Sequence, residues 1–256
     1  MPVTRSPGSV AGTIVTDMPQ GYGTTARRTL KVVAVLTLTA LVAVGLDSAA
    51  AARAERRLSQ HAAEIDQLSS PPEVYIAGFP YVLSALTGAH TRVSLSAIDT
   101  PLPGFGSATV GVDALGLNTH TNTANVLRRS VRLDAVAFAH LLDLPDLDIT
   151  NPYDISPAGG GVSEARLSAT LPDTSTASTA VVTLRLTDGT FFMRPSEVDP
   201  ASGASADDVV QAFSYELDTR SLPLGGPADM VQLSGGSIYF SRDVVNAAVD
   251  ADDLVP

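Results

Sequence analysis

Three hydrophobic patterns succeed one another along the chain. The first is an unbroken run. From Val32 to Leu46 no residue is charged, and Arg27, Arg28 and Lys31 stand just before it. These 15 residues extend roughly 22 Å as a helix, against roughly 30 Å of bilayer hydrocarbon. Leu30 and the stem of Lys31 lengthen the span, and nothing breaks the helix after Leu46. The pattern predicts an uncleaved membrane anchor over 27–46 or, with the small residues Ala49 to Ala52 as cleavage sites, a signal segment. The basic trio on one flank and Asp47 on the other orient it so that everything downstream lies across the membrane.

The second pattern has helical spacing. Ala51, Ala54, Leu58, Ala62, Ile65 and Leu68 fall three or four residues apart, within a stretch from Asp47 to Leu68 that lacks Gly and Pro. That predicts an Ala-rich amphipathic helix packing onto the downstream domain, ended by Ser69-Ser70-Pro71-Pro72.

The third pattern is alternation. Val74 to Ile76, Val93 to Ile98, Ala108 to Leu115, Val162 to Leu171, Ala180 to Leu186, Thr190 to Met193, Phe213 to Leu217 and Ser237 to Phe240 read as strands. Asp188-Gly189 predicts a tight hairpin turn. Pro80 to Leu86 predicts one or two helical turns stopped by Gly88, and Leu133 to Leu142 an interior helix with Val136, Phe138, Leu141 and Leu142 apolar. Asn151 to Gly161 and Pro200 to Asp207 read as loops, and Asp146 to Thr150 as a solvated acidic turn. The expected fold is α+β on an antiparallel sheet. The expected organisation is a disordered tail over 1–26, the anchor or signal over 27–46, the Ala-rich helix over 47–70 and one domain over 71–256.

Composition removes most chemistries. The 256 residues carry a formal charge of −11, which argues against nucleic acid as a partner. With no Cys there are no disulfides, thiolate metal sites or cysteine nucleophile. There is no Gly-x-Ser-x-Gly, His-Glu-x-x-His or phosphate-binding loop, and Lys31 is the single lysine. Asp146-x-Asp148 begins like a calcium loop, but Asn151 and Pro157 stand where Gly and Glu are required. His90, His120 and His140 have no partner in sequence and read as surface or rim residues. No catalytic residue, metal or cofactor is expected, and the chain reads as a non-enzyme. One feature opposes the global charge. From Ser69 onward nine Arg face 22 Asp plus Glu, a net of −13, yet Arg128, Arg129 and Arg132 lie within five residues. They read either as a solvated strand end before the helix at Leu133 or as an anion site, since guanidinium pairs bidentately with phosphate.

The block Ile76-Ala77-Gly78-Phe79-Pro80-Tyr81-Val82-Leu83, with Leu86-Thr87-Gly88 and Val93-Ser94-Leu95 after it, resembles the LmeA family of phospholipid-binding envelope proteins of mycobacteria and related actinobacteria. That family shows an N-terminal hydrophobic segment, an Ala-rich helix and a Gly-Phe-Pro-Phe-Leu type motif. Here Tyr81 replaces the second aromatic. Leu184 to Met193, Leu222-Pro223-Leu224 and Gly235 to Ile238 extend the likeness, which runs from about Leu30 to Phe240. The resemblance implies a tubular lipid-binding-like fold, in which a strongly curved antiparallel sheet wraps a helix and leaves an apolar groove for acyl chains. It also implies an extracytoplasmic protein that binds phospholipid, anionic and of phosphatidylinositol type, and supports lipomannan-type glycolipid assembly. In such a groove Phe79, Tyr81, Leu83 and Leu86 form one edge and Phe138 and Leu142 another, with Arg128, Arg129 and Arg132 at the headgroup. The competing reading is a structural or scaffolding module of the envelope that binds protein instead; a hydrolase of envelope glycolipids ranks below both.

Overall fold

Alternation along the third strand explains the architecture. Ala108, Val110, Val112 and Ala114 are buried, while Thr109, Gly111, Asp113 and Leu115 between them are only partly covered. Every second side chain thus faces an interior, as the two-residue period of a strand requires. The computed structural model describes residues 22–66, 71–152, 161–172, 174–250 and 253. The chain divides into two compact units, Met1–Leu46 and Asp47–Pro256.

Helix α1 spans Tyr22–Asp66 and carries the boundary between the two units. It begins inside the stretch read as a tail; residues 1–21 lie outside the described residues. From Val33 to Leu46 its large apolar side chains are all exposed, among them Leu36, Leu38, Leu41 and Leu46. A helix apolar on every side needs an apolar surrounding, and by length and composition Val35–Ala63 is a candidate membrane span. The part from Asp47 onward has another partner, however. Leu58 and Ala62 pack into a core cluster with Val93, Leu95, Val112, Ala114 and Leu127, and Arg53, Arg56 and Arg57 are exposed on the opposite side. These members of the expected apolar stripe therefore do pack onto the strands after them; Leu68, at its far end, lies outside the described residues.

The second unit contains β1 (Glu73–Ala77), α2 (Tyr81–Thr87), β2 (Ala89–Leu102), β3 (Gly106–Asn118), β4 (Thr123–Leu133), α3 (Ala135–Leu142), β5 (Asp148–Thr150), β6 (Val162–Thr170), β7 (Ala177–Thr187), β8 (Thr190–Asp199), α4 (Ala206–Ala212), β9 (Tyr215–Asp218), β10 (Met230–Ser234) and β11 (Ser237–Ala248). All strand pairs are antiparallel. One sheet runs β1-β2-β3-β4-β11-β10 and the other β5-β6-β7-β8-β9. The long sheet curls into a half-barrel around α3 and the part of α1 beyond Asp47, so the expected α+β fold with a strongly curved antiparallel sheet is observed. At the β7–β8 turn both Asp188 (φ 51°) and Gly189 (φ 82°) are left-handed, as the shortest hairpins demand.

The larger core joins the two sheets. Val110, Val131, Ile238 and Phe240 of the first meet Leu167, Leu184, Phe191 and Met193 of the second, with Phe138 of α3 and Val209 of α4 between. Phe191 and Phe240 meet edge to face at 5.0 Å.

Several boundaries differ from expectation. Asp134, whose carboxylate accepts from the Ala137 N–H, starts α3 two residues after Leu133, and Val136 is 75 % exposed, not core. The segment read as a loop over Pro200 to Asp207 contains the start of α4, whose Ser205 and Asp208 form a reciprocal capping box. Of the expected acidic turn, Asp146 does lie in a turn, accepting from the Thr170 N–H at 3.1 Å, while Asp148–Thr150 form edge strand β5. Most of the loop expected over Asn151 to Gly161 lies outside the described residues.

Candidate functional site

The Gly-Phe-Pro block forms an apolar projection. The Phe79–Pro80 peptide is cis, and α2 follows with no buried residue. Phe79 is 72 % and Leu86 74 % exposed, and Val82 and Leu83 are exposed beside them. Tyr81 is half-buried, its ring 6.2 Å from that of His90. The Nδ1 atom of His90 is buried without a partner among the described residues, and burial lowers its pKa. Three side chains of α1 hold this region. Asp47 accepts from the Tyr81 and Val82 N–H groups at 2.7 and 2.8 Å. Glu55 accepts from the Ile76 N–H at 3.0 Å, and the Ser59 hydroxyl donates to the Pro72 carbonyl. Asp47 is 7 % exposed and satisfies the first free N–H groups of α2, which have no helical partner.

The second predicted edge lies elsewhere. Phe138 is 1 % exposed and belongs to the packed core, because α3 turns Ala137, Phe138 and Ala139 inward together. Leu142, four residues on, lines a cleft of about 660 Å³ between α3 and α4, with Leu141, Leu144, Leu171 and Tyr215 as apolar neighbours. Asp143 and Asp208 stand on the same cleft. Ser205 holds the Asp208 carboxyl below the usual range, so that margin is anionic. Burial pushes the Tyr215 phenol up. The Thr119 N–H bonds to the Gly88 carbonyl after α2, at one end of β3, whereas Phe138 clusters with Ala108 and Val110 at the other. Ala108 and Leu117 are nine residues apart along this strand, about 30 Å. Phe79, Tyr81, Leu83 and Leu86 are therefore not brought beside Phe138 and Leu142.

The arginine cluster is also divided. Strand β4 is central in its sheet, paired with β3 on one side and β11 on the other; Arg128 and Arg129 lie in its middle, and only Arg132 sits at the strand end before α3. Alternation sends Arg128 and Arg132 to the outer face and Arg129 to the inner one. Arg128 forms a two-pronged pair with Asp243, 2.7 Å from each oxygen. The pair holds the Asp243 carboxyl below the usual range, through its hydrogen bond first and its charge second, and raises Arg128. Arg132 lies opposite Tyr239 on β11 and is exposed.

On the inner face Arg129 has a partner that the spacing of the cluster does not reveal. Arg242 of β11 is its direct cross-strand neighbour. Both side chains reach Gly225, and Arg242 also reaches Gly226. Arg242 donates to the Gly225 carbonyl, and a Cβ on Gly226 would stand 2.6 Å from the Arg242 guanidinium carbon. Arg129 donates to Asp253 at 2.6 Å. Around them Leu127, Leu224, Val244 and Ala247 wall a pocket of about 260 Å³. The signal that could have found it is phase: Arg129 falls in step with Leu127, Val131 and Leu133, and Arg242 with Ile238, Phe240 and Val244. An arginine in register with a buried stripe turns to the inner face of the sheet, where even a partly covered charge needs a counterpart.

A family model described as LmeA-like phospholipid-binding matches residues 45–241, most of the chain. The protein belongs to the LmeA-like phospholipid-binding family. The matched region takes in Asp47, the Gly-Phe-Pro block and Arg129, and ends one residue before Arg242. No curated protein matches the chain, and no solved structure does. The LmeA-like family is a lipid-binding one and not a known enzyme family, and among the described residues no three His, Asp or Glu side chains gather as a metal site.

Proposed function

We propose that this LmeA-like protein carries an anionic phospholipid on the outer face of the cytoplasmic membrane, without catalysing a reaction on it. The observation that carries this reading is the pair of guanidinium groups, Arg129 and Arg242, on an otherwise apolar sheet face. Guanidinium suits phosphate, and the walls of Leu127, Leu224, Val244 and Ala247 suit glycerol and the first methylenes. Ligand sites commonly measure about 300–1,000 Å³, so the 260 Å³ pocket takes the phosphate end while the acyl chains extend outward. Each methylene they bury contributes about 0.8 kcal/mol, so half an acyl chain suffices for micromolar binding. The cleft at Leu142 offers an apolar floor, but its acidic margin repels a phosphate.

The membrane and location parts rest on α1. Its exposed apolar run from Val33 to Leu46 follows the basic trio Arg27, Arg28 and Lys31 and serves as the anchor. A place in envelope glycolipid assembly rests on the family resemblance alone.

Mass spectrometry of the full chain, released gently from detergent, tests the carrier. The expected spectrum contains protein with one phospholipid of anionic class, and Arg242→Gln loses that preference. A chain that emerges empty from every detergent and lipid mixture overturns the reading and leaves the scaffolding module. A periplasmic reporter fused after Pro256 reads the orientation and is expected to be active.

A further inference from the structure

We infer that α2 and Phe79 form a membrane-docking surface, dipping into the headgroup layer of the same bilayer that holds the apolar run of α1. This inference rests on the anchor reading proposed for that run. Composition sets the patch apart. In a domain of net charge −13, Val74 to Thr91 contains no Asp, Glu, Lys or Arg. Phe79, Val82, Leu83 and Leu86 are exposed, and α2 buries none of its residues. A contiguous apolar patch on an acidic surface marks an interface.

Chain continuity names the occupant. Leu46 is the last exposed large apolar residue of the run, and Asp47, the very next residue, binds the N–H groups of Tyr81 and Val82. The first turn of α2 is thus fastened to the point where the chain leaves hydrocarbon. An interfacial helix lies in the plane of the headgroup layer with its apolar face buried about 5–10 Å, and the exposed Val82, Leu83 and Leu86 of α2 supply such a face. Glu55 and Ser59 hold the neighbouring strand to α1 as well, so the patch is carried on a braced support. Charge agrees with the placement. Arg53, Arg56 and Arg57 are exposed within ten residues of Asp47, where anionic headgroups attract them. The acidic remainder is repelled by the same surface, which leaves the uncharged block as the face that approaches it.

The chain has no tryptophan, so Leu83→Trp and, separately, Leu86→Trp each introduce a single indole. The full-length variants are reconstituted into phosphatidylcholine–phosphatidylglycerol vesicles, with and without acyl-brominated phosphatidylcholine, and floated on a density gradient. Docking predicts a blue-shifted indole that loses most of its emission to brominated lipid, while Val245→Trp, on β11, stays water-like and unquenched. Protein that floats with a water-like indole at both α2 positions overturns the docking but leaves the anchor intact. A blue-shifted indole that brominated lipid does not quench means protein covers α2, which also overturns it. So does equal quenching in detergent by one equivalent of brominated lipid, since a single bound molecule then explains the signal. Protein that fails to float removes the anchor, and the docking with it.

Discussion

Arg129 holds Asp253 at 2.6 Å on the inner face of the curled sheet. On the carrier reading proposed above, this carboxylate stands at the pocket where the lipid phosphate is expected to bind. Both side chains are about a quarter to a third exposed, so the pair is reached by water and its attraction is partly screened. If that pocket takes an anionic headgroup, Asp253 is expected to compete with it.

Asp253→Asn is accordingly expected to tighten binding of anionic vesicles and leave neutral vesicles unchanged. The gain is about 0.5–1 kcal/mol, a few-fold in Kd, and shrinks as salt rises. Co-sedimentation of the full chain at low and high salt measures it. Equal tightening toward both vesicle types would mean that Asp253 acts through packing and not through charge.

Two phenylalanines that the sequence placed in one groove are expected to respond in opposite ways. Phe138→Asp puts a charge into the closed core and is expected to unfold the second unit, since an unpaired buried charge costs several kcal/mol. Phe79→Asp falls on a side chain 72 % exposed, where substitutions change stability by about 0.5 kcal/mol or less. Thermal melts of the two variants settle the contrast. Only the Phe79 variant is expected to remain folded with weakened vesicle association.

The outer-face pair of Arg128 and Asp243 makes stability depend on acid. Because the native carboxyl is held below its unfolded value, the stabilisation is present above about pH 3.9 and lost as pH falls through the lower native value. Arg128→Met removes it. The gap in Tm between wild type and variant at neutral pH is expected to narrow on acidification toward pH ~3. A gap that stays constant would show that the variant loses packing, not the ion pair.

Phe191 and Phe240 link the two sheets edge to face, each fully buried. Phe191→Ala is expected to cost about 3–5 kcal/mol, the range for a large aromatic removed from a closed core. Urea unfolding followed by circular dichroism reads the loss. A cost below about 1 kcal/mol would place the ring in a site that collapses easily.

Local pattern alone determined much of this protein. The uncharged run, the three-and-four spacing of Ala51, Ala54, Leu58 and Ala62, and the alternation at Val93 and Val110 were legible because period and burial are properties of one segment. So was the Gly-Phe-Pro block that marks the family. What the tertiary structure decided is which segments share a face. Arg128, Arg129 and Arg132 are neighbours in the chain, but a pleated strand sends successive side chains to opposite sides, so only Arg129 turns inward. Its companion Arg242 is 113 positions away and is brought beside it by the pairing of β4 with β11. Likewise Asp47 reads in sequence as a flanking charge. Only the return of the chain past β1 places its carboxylate on α2, because hydrogen bonds between distant segments depend on how the whole chain closes its core.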